Sequence, residues 1–396
     1  MSAATVAVVL GTRPEAIKLA PVVRELARRD GVTPLVVSTG QHREMLEQAL
    51  RLFDLRPDVD LDLMRPGQSL HDVTCSALDR LKSVYRERRP AWVVVQGDTT
   101  HALAAALAAF YEQIPVAHVE AGLRSGQRYA PFPEEMNRRL VDQLSEIVFA
   151  PTESARAYLL REGFAPDCVH VTGNTVVDAL LVARDHVRLA PPVIDGLRED
   201  ALRGKRLVLV TAHRRESFGG GFASICRALR RIADEAPESA IVYPVHLNPN
   251  VDGPVRELLG GHERIHLLGP VTYPGFVALM DRAAVILTDS GGVQEEAPTF
   301  GKPLLVLRSV TERPEGIEAG VARLVGTDEA SIANETLALL RDPARYAAMA
   351  TGSNPYGDGH ASVRIVDLLE RSAASPAPPS RPASARREGP AFAASA

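Results

Sequence analysis

Short apolar runs alternate with helix-patterned segments along most of the chain. In the first half, the runs occupy residues 6–10, 35–37, 92–95, 116–119 and 147–149, and helical patterning follows each of them. Strands of parallel sheets are almost uniformly apolar, and strands that alternate with helices join as βαβ units. This half therefore predicts an α/β fold, with a parallel sheet covered by helices on both faces.

The same alternation restarts near Lys205 and predicts a second sheet. Its apolar runs occupy residues 207–210, 240–243, 265–268, 285–288 and 304–307. Residues 175–188 are patterned as a helix and prolines follow at 191–192, so the chain divides in this region. We therefore predict two Rossmann-like, doubly wound domains, residues 1–175 and 176–371. Because such sheets bind ligands beyond the carboxyl ends of their strands, the two domains should face a shared cleft.

The composition is that of a globular protein. Of its 396 residues, 45% are hydrophobic and 24% are charged, and the net charge is −4. This charge gives no general attraction to nucleic acid or to an anionic membrane, so neither is predicted as a partner. No apolar run reaches the roughly 18 residues of a membrane span, and the first residues do not resemble a secretion signal, so a cytoplasmic location is expected. Residues 372–396 are rich in proline, alanine and serine and are predicted to be a disordered tail.

Cofactor signals are missing from the sequence. Cys75, Cys168 and Cys226 lie far apart and show no metal-ligand spacing. No GxGxxG fingerprint follows a strand in either half. We therefore expect activity without metal and without a nicotinamide.

The segment at residues 285–302 carries the strongest chemical signal. Its apolar run ends in Asp-Ser-Gly-Gly and leads into a helix that bears carboxylates. Gly291 and Gly292 let backbone N–H groups approach an anion, and a helix N-terminus adds partial positive charge. Glu296 follows one turn later, where its two oxygens can accept both hydroxyls of a ribose. The segment predicts a nucleotide diphosphate site; the alternative is an ordinary strand-to-helix turn.

Cations follow two other strands. Arg13 and Lys18 lie at the start of the helix predicted after residues 6–10, and Arg313 follows the run at 304–307. Cations at strand ends favour phosphate binding. The alternative for the first pair is a capped helix with solvated basic side chains.

Acids and a histidine follow further strands. Asp98 and Glu120 end two successive runs, and neighbouring parallel strands would bring them close enough for repulsion to raise the pKa of one carboxyl and suit it to proton transfer. Asp98 has an alternative interpretation as a helix N-cap. Glu134 opens a predicted helix, where the helix dipole also favours an acid. His213 ends a strand of the second half, where it could shuttle protons, bind phosphate or cap the sheet.

Taken together, these motifs resemble the non-hydrolysing UDP-N-acetylglucosamine 2-epimerases. The resemblance rests on GTRPEAIK at 11–18, QGDT at 96–99, HVEAGLRS at 118–125, PFPEEMNR at 131–138, AHRRES at 212–217, DSGGVQEEA at 289–297 and TERPE at 311–315. The order and spacing match over roughly residues 5–365. The resemblance implies a glycosyltransferase B-like fold, with the nucleotide mainly on the second domain and the catalytic acids mainly on the first. A homodimer is the expected assembly.

The resemblance also assigns roles to residues. The implied catalytic group is Asp98, Glu120, Glu134 and His213. The implied UDP-binding group is Arg13, Lys18, Phe276, Ser290, Gly291, Gly292, Glu296 and Arg313, with Phe276 near the uracil. Gln41 and His42 match a regulatory second site of some relatives, and Gly67 stands where regulated relatives can carry an arginine.

The family interconverts UDP-GlcNAc and UDP-ManNAc, which supply cell-surface polysaccharide synthesis. The implied reaction expels UDP from C1 to leave 2-acetamidoglucal, and UDP adds back after C2 is protonated on the opposite face. This chemistry needs acid and base groups near C1 and C2 and a clamp on the departing diphosphate.

Three other functions fit parts of the sequence. A hydrolysing epimerase would release free ManNAc and usually bears a kinase domain, which nothing after Arg371 could form. A glycosyltransferase of the same fold would need an acceptor groove, and the acid-rich first half fits it less well. A non-catalytic nucleotide-sugar sensor would keep DSGGVQEEA but lose the acids, whereas Asp98, Glu120 and Glu134 are all present.

Overall fold

The computed structural model describes residues 3–40, 43–214 and 220–374. Its strands form two parallel sheets. The first sheet contains β1 (Ala4–Leu10), β2 (Val32–Ser38), β3 (Val59–Asp60), β4 (Trp92–Gln96), β5 (Val116–Val119), β6 (Ile147–Ala150) and β7 (Val169–Val171). The second contains β8 (Arg206–Thr211), β9 (Ser239–Pro244), β10 (Ile265–Leu268), β11 (Ala283–Thr288), β12 (Leu304–Val306) and β13 (Ala322–Leu324).

Helices connect the strands, and many begin at a side-chain cap. They are α1 (Arg13–Leu26), α2 (Arg43–Leu52), α3 (Leu70–Arg88), α4 (Thr100–Tyr111), α5 (Glu134–Leu144), α6 (Glu153–Arg161), α7 (Thr175–Leu189), α8 (Gly220–Glu235), α9 (Pro249–Leu259), α10 (Tyr273–Arg282), α11 (Gly291–Glu296), α12 (Pro314–Glu318), α13 (Glu329–Arg341), α14 (Pro343–Ala350) and α15 (Ala361–Ala374). Thr12 caps α1 in a capping box with Glu15, Thr99 caps α4 and Asn174 caps α7. These caps satisfy backbone N–H groups that have no partner within the helix.

Both sheets have the same strand order. The first runs β3-β2-β1-β4-β5-β6-β7 and the second β10-β9-β8-β11-β12-β13. In each sheet the chain therefore winds outward in one direction and then, from a central strand, in the other. Ligands of doubly wound sheets bind where this direction changes, which is beside β1 and β4 in one sheet and beside β8 and β11 in the other.

Helices on both faces bury the strands completely. Along β1, Val6 and Val8 pack in one apolar cluster, whereas Ala7 and Val9 pack in another on the opposite face. Successive side chains of a strand point to opposite faces, so a strand that is covered on both sides reads as one continuous apolar run. This is why the sequence pattern located the central strands.

Two helices join the halves of the molecule. Helix α7 packs on α1 and on α10, and α15 returns to pack on α1 and α7. The buried Asp178 of α7 caps α15, because its carboxylate accepts hydrogen bonds from the backbone N–H of Ala361 (3.2 Å) and of Ser362 (2.8 Å) and from the Ser362 hydroxyl (2.6 Å). The end of the described chain is thereby anchored to the helix that lies between the two sheets.

The predicted α/β class with two doubly wound sheets is confirmed. The strands β3, β7 and β13, which lie at sheet edges, were not predicted. The limits 1–175 and 176–371 stay a prediction, with α7 beginning at Thr175 and α15 packing on the first half. Of the predicted disordered tail, residues 372–396, the first three residues belong to α15, and the remainder lies outside the described residues, as do Gln41 and His42. Within the described part of the chain, no helix is long and apolar enough to cross a membrane.

Candidate active site

The sequence candidates gather at the carboxyl ends of the central strands. Gly11 directly follows β1, and Asp98 comes two residues after β4. In the second sheet, His213 comes two residues after β8 and Ser290 two residues after β11. All four positions border the places where the winding direction changes. The strand order and the sequence motifs therefore indicate the same loops, those after β1 and β4 in the first sheet and those after β8 and β11 in the second.

A buried carboxylate holds the two loops of the first sheet together. The Oε2 atom of Glu15 accepts hydrogen bonds from the backbone N–H of Gly11 (2.8 Å) and of Thr12 (2.6 Å), and Oε1 accepts one from the Thr99 hydroxyl (2.6 Å). Burial raises the pKa of Glu15, against the effect of these hydrogen bonds. At Gly11, a Cβ atom would lie 2.3 Å from Thr39 Oγ1, so a side chain is excluded there by packing.

Lys18 and Glu120 form a buried ion pair. The Lys18 ammonium contacts the Glu120 carboxylate, and the two side chains are 15% and 10% exposed. Gln96 donates a hydrogen bond from Nε2 to Glu120 at 3.0 Å. Burial raises the pKa of the Glu120 carboxyl; Lys18 opposes this rise and Glu295 adds to it. Glu120 also has a φ of 68°, a strained conformation for a residue with a side chain, and such strain clusters at functional sites.

Asp98 is held by helix α5 and does not cap a helix. Its carboxylate contacts the Arg138 guanidinium, and its backbone oxygen accepts a hydrogen bond from Asn137 Nδ2 at 2.9 Å. The cap of α4 is Thr99, whose hydroxyl accepts a hydrogen bond from the Ala102 N–H at 3.0 Å. The interpretation of Asp98 as an N-cap is therefore wrong. Because β4 and β5 are neighbours, its charge helps to raise the pKa of Glu120, as the repulsion argument predicts.

Two adjacent glutamates open α5 and have different environments. Glu135 accepts hydrogen bonds from the Ser125 N–H (2.9 Å) and from Arg139 Nε (3.1 Å). Glu134, in contrast, has a buried Oε2 atom with no hydrogen-bond partner in the described part of the chain. A buried oxygen without a partner is costly and marks a group that a ligand or a proton can satisfy. The structure thus separates a structural glutamate from a candidate catalytic one.

His213 is positioned by the buried Asp289. The Oδ2 atom of Asp289 accepts hydrogen bonds from the backbone N–H of His213 (2.6 Å) and of Arg214 (2.7 Å), and its Oδ1 lies 3.4 Å from His213 Nδ1. The His213 ring stacks on His246, with 5.4 Å between the ring centroids. Burial lowers the pKa of His213; Asp289 opposes this and His246 adds to it. The imidazole is therefore mainly neutral at pH 7 and able to accept a proton.

Arg313 lies against the start of α11, at the predicted diphosphate site. A Cβ atom on Gly291 would lie 3.2 Å from the Cζ atom of the Arg313 guanidinium. The Ser290 hydroxyl makes no capping hydrogen bond, although Ser290 is the N-cap residue. The Nε–H of Arg313 donates to Glu295 at 2.9 Å. A cation, a hydroxyl and the backbone N–H groups of a helix start thus meet at one place, which suits a phosphate.

Glu296 lies at the end of α11 and is partly buried. Burial raises its pKa to about 7, and the neighbouring Glu295 contributes to the rise while nearby cations oppose it. The Tyr273 hydroxyl has no hydrogen-bond partner among the described residues. Burial raises its pKa well above the ordinary value; the Glu296 charge adds to this rise and Arg13 opposes it. Phe276 lies on α10, one turn after Tyr273. Arg13 of the first half and Tyr273 of the second half line a common pocket.

The residues that hold the candidates in place were missed by sequence reasoning. They are Gln96, which contacts Glu120, and Arg138, Asn174, Asp289 and Glu295. Two of them stand at recognisable positions, since Gln96 is the last residue of β4 and Asp289 directly follows β11. Glu295 stands inside a motif that was noted for Glu296. Arg138 likewise ends the motif PFPEEMNR, which was noted for Glu134, whereas the chain position of Asn174 carries no comparable signal.

Within residues 3–40, 43–214 and 220–374, no three or more histidine, cysteine, aspartate or glutamate side chains are arranged to hold a metal ion. Cys75 and Cys226 are free thiols, and Cys168 Sγ donates a hydrogen bond to the backbone oxygen of Ala165. The expectation of activity without metal stays a prediction.

Comparisons with known proteins agree with this geometry. A family model for UDP-N-acetylglucosamine 2-epimerase matches residues 24–370. The UDP-N-acetylglucosamine 2-epimerase of Escherichia coli K12 is 52% identical over 371 residues, which cover 92% of this chain and 98% of that protein. The Neisseria meningitidis UDP-GlcNAc 2-epimerase bound to UDP-GlcNAc is 45% identical with a TM-score of 0.82, covering 93% of this chain and 100% of that one. The Methanocaldococcus jannaschii UDP-GlcNAc 2-epimerase in complex with UDP-GlcNAc and UDP is 34% identical, with a TM-score of 0.72 and coverage of 93% and 99%. The predicted glycosyltransferase B-like architecture is confirmed by these neighbours.

Proposed function

Because this chain belongs to the UDP-N-acetylglucosamine 2-epimerase family, we propose that it interconverts UDP-GlcNAc and UDP-ManNAc by elimination and re-addition of UDP, as a step in cell-surface polysaccharide precursor synthesis. The single observation that carries the mechanism is the buried contact between Lys18 and Glu120, at the edge of the charged cluster around Arg313. A leaving-group cation and a proton-transfer carboxylate are thereby adjacent. Elimination needs both at neighbouring atoms of the sugar.

In the first half-reaction, a base takes the proton from C2 of the sugar. The electron pair of the C2–H bond becomes the C1–C2 double bond, and the C1–O bond breaks with its electrons leaving on UDP. The product is 2-acetamidoglucal. In the second half-reaction, a proton adds to the opposite face of C2 and UDP re-forms the bond to C1. This completes the inversion at C2 without an external oxidant.

We assign the proton transfers to Asp98, Glu120, Glu134 and His213. Three observations support this group: the raised pKa of Glu120, the unpaired buried oxygen of Glu134 and the lowered pKa of His213. A carboxyl whose pKa is raised toward neutrality is suited to both accepting and donating a proton near pH 7. Arg138 keeps Asp98 in place.

We assign UDP binding to Arg13, Lys18, Phe276, Ser290, Gly291, Gly292, Glu296 and Arg313. The diphosphate would lie at the start of α11, between cations from both halves of the molecule. Stabilising the negative charge that develops on the departing diphosphate lowers the barrier to C1–O cleavage, and Arg313 and Lys18 supply the positive charge for this. Glu296 would accept the ribose hydroxyls, and Phe276 would lie by the uracil.

The test is to incubate the purified protein with UDP-GlcNAc and separate UDP-ManNAc, free ManNAc and UDP by chromatography. UDP-ManNAc at equilibrium with UDP-GlcNAc is the expected result. Stoichiometric free ManNAc and UDP would indicate a hydrolysing epimerase. Conversion only in the presence of an added sugar acceptor would indicate a glycosyltransferase, and UDP binding with no conversion would indicate a sensor.

A homodimer is proposed as the assembly. It is supported by neighbouring aromatic side chains on α4, since Phe110 is 57% and Tyr111 is 66% exposed. Exposed aromatic pairs are enriched at protein interfaces. Light scattering should give a molar mass of two chains, and Tyr111→Glu should lower this mass toward that of one chain. The free thiols of Cys75 and Cys226 support the proposed cytoplasmic location. Regulation through Gln41 and His42 stays a prediction.

A further inference from the structure

Glu295 is a buried carboxylate between the two cations that we assign to the diphosphate. Its side chain is 5% exposed. Its Oε1 accepts a hydrogen bond from Arg313 Nε at 2.9 Å, and its Oε2 accepts one from Asn174 Nδ2 at 3.1 Å. The same Oε2 lies 4.0 Å from Lys18 Nζ. Arg313 and Glu295 belong to the second half of the chain and Lys18 to the first.

A carboxylate at this place works against binding of an anionic ligand. Its charge repels a diphosphate that approaches the same cations, and burying it is costly unless it is paired. Burial alone would raise the pKa of Glu295, but Arg313 and Lys18 together outweigh burial and lower it. The group is therefore ionised at neutral pH, and its presence needs an explanation other than affinity for UDP.

The contacts of Glu295 fix the orientation of the Arg313 guanidinium. Glu295 accepts a hydrogen bond from the Nε–H edge, so the two terminal amino groups are directed away from it; one of them, Nη1, lies 3.9 Å from Glu312 Oε2. A Cβ atom on Gly291 would lie 3.4 Å from Arg313 Nη1, which places one of these groups at the start of α11. On its other side, Glu295 gives Lys18 a second carboxylate besides Glu120. Lys18 can therefore move toward a phosphate without leaving a buried ammonium unpaired.

Building on the proposed function, we propose that Glu295 is a positioning residue for the epimerase reaction: it aligns Arg313 and Lys18, one from each half of the chain, for the departing diphosphate without itself binding UDP. Its negative charge lowers the affinity for bound UDP, and its contacts align the cations that stabilise UDP as it leaves. An interaction of this kind raises turnover and not affinity. Asn174 holds Glu295 in place from the start of α7.

The test is Glu295→Gln, measured for kcat, for the Kd of UDP by calorimetry and for thermal stability, beside the wild type. Glutamine keeps the shape and an acceptor oxygen but removes the charge. We expect kcat to fall about tenfold or more while the UDP Kd stays equal or becomes tighter. Glu295→Asp, which keeps the charge on a shorter stem, should recover part of the loss. Glu329→Gln, a carboxylate paired with Arg227 on the surface, is the matched control and should match the wild type in kcat and Kd.

A second variant keeps the test decisive if Glu295→Gln does not fold. Asn174→Ser keeps an N-cap for α7 but removes the donor to Glu295, so it should lower kcat with an unchanged UDP Kd. Folded variants with wild-type kcat, or a parallel loss of kcat and UDP affinity, overturn the proposal. A wild-type protein that binds UDP and converts no UDP-GlcNAc overturns the proposed function as well. An active wild type with a fully active Glu295→Gln overturns only the positioning role.

Discussion

Replacing Glu120 with glutamine tests the proposed proton transfer most directly. Glutamine has the same shape as glutamate but cannot take a proton at the pH of the reaction. Loss of a general acid or base typically lowers turnover by about 10²–10⁴-fold. We expect kcat to fall about a hundredfold or more, which corresponds to about 2.7 kcal/mol in activation free energy.

The structure also limits the side effects of this substitution. Glu120→Gln breaks the buried pair with Lys18, and an ammonium left without a partner would cost about 3–5 kcal/mol of stability. Lys18 still has the Glu295 carboxylate at 4.0 Å, so the cost should be well below that range. Because the cation remains in place, binding of UDP should persist. A large loss of kcat with a small change in the UDP Kd is therefore the expected signature.

The assay is turnover of UDP-GlcNAc in D₂O, with mass spectrometry or NMR to follow deuterium at C2. The wild type should place deuterium at C2 of the product, since the proton removed is replaced from solvent. Glu120→Gln should slow both turnover and exchange. The control is Glu153→Gln, at a glutamate whose side chain is 79% exposed, and it should behave as the wild type. Unimpaired turnover in Glu120→Gln, or product formed without deuterium at C2, would falsify the reasoning.

The site and the fold give five further predictions. Glu296→Ala removes the proposed ribose acceptor and should weaken UDP binding by about 1–3 kcal/mol in calorimetry, whereas an unchanged Kd would count against that role. The pKa of Glu296 is about 7 in the folded state and ordinarily 4.5, so ionisation of this carboxyl destabilises the folded state progressively as the pH rises from 4.5 to 7. Glu296→Gln should therefore raise Tm at pH 8 and change it much less at pH 4.5. An equal change in Tm at the two pH values would contradict this. Asp178→Ala removes the cap of α15 and should lower the free energy of unfolding by about 1–3 kcal/mol, with exposed Asp185→Ala as a neutral comparison in denaturant titrations. Deleting residues 375–396 should leave Tm and turnover nearly unchanged, and a Tm drop of several degrees would contradict this. EDTA should leave turnover unchanged, and a loss of turnover that a divalent ion restores would show that a metal is needed.

The central strands could be predicted from the sequence because both of their faces are buried. Three of the four edge strands could not: β3 has only two residues, Val59 and Asp60, and Asp60 is exposed. The other two, β7 and β13, have three residues each with a polar residue in the middle, His170 and Arg323, so neither contains an apolar run. Edge strands need less apolar surface because one side of the sheet ends there. The return of α15 to the first half was also missed, because helical periodicity shows that a face is buried but not which helix covers it.

The candidate site could be predicted to the extent that its residues follow strands. Gly11, Asp98, His213 and Ser290 all stand one or two residues after a central strand, and a parallel sheet places such residues together. Pairings between side chains could not be predicted. Lys18 and Glu120 are 102 residues apart in sequence, and no local pattern marks them as an ion pair.

The neighbours Glu295 and Glu296 show why such pairings matter for assigning roles. On a helix, successive side chains point about 100° apart, so adjacent residues face different surroundings. Glu295 faces two cations, and their charges lower its pKa below the ordinary value. For Glu296, burial and the neighbouring Glu295 charge raise the pKa to about 7, and Lys18 and Arg13 oppose this rise only in part. The sequence motif contains both acids and cannot distinguish them; only the structure separates an ionised counter-ion from a carboxyl that titrates near neutral pH.

The polar contacts between the two halves explain how one chain can combine proton transfer with leaving-group binding. The first half contributes Glu120 and Lys18, and the second half contributes Glu295 and Arg313, so neither half holds the complete cluster. A second contact lies nearby, where Glu315 accepts a hydrogen bond from the Thr152 hydroxyl at 3.1 Å. Glu315 stands two residues after Arg313, so this contact ties the Arg313 segment to the first half of the chain. Any motion that separates the halves must break both contacts together. The proposed proton-transfer acids and the proposed diphosphate cations are therefore adjacent only while these contacts hold the two halves of the chain together.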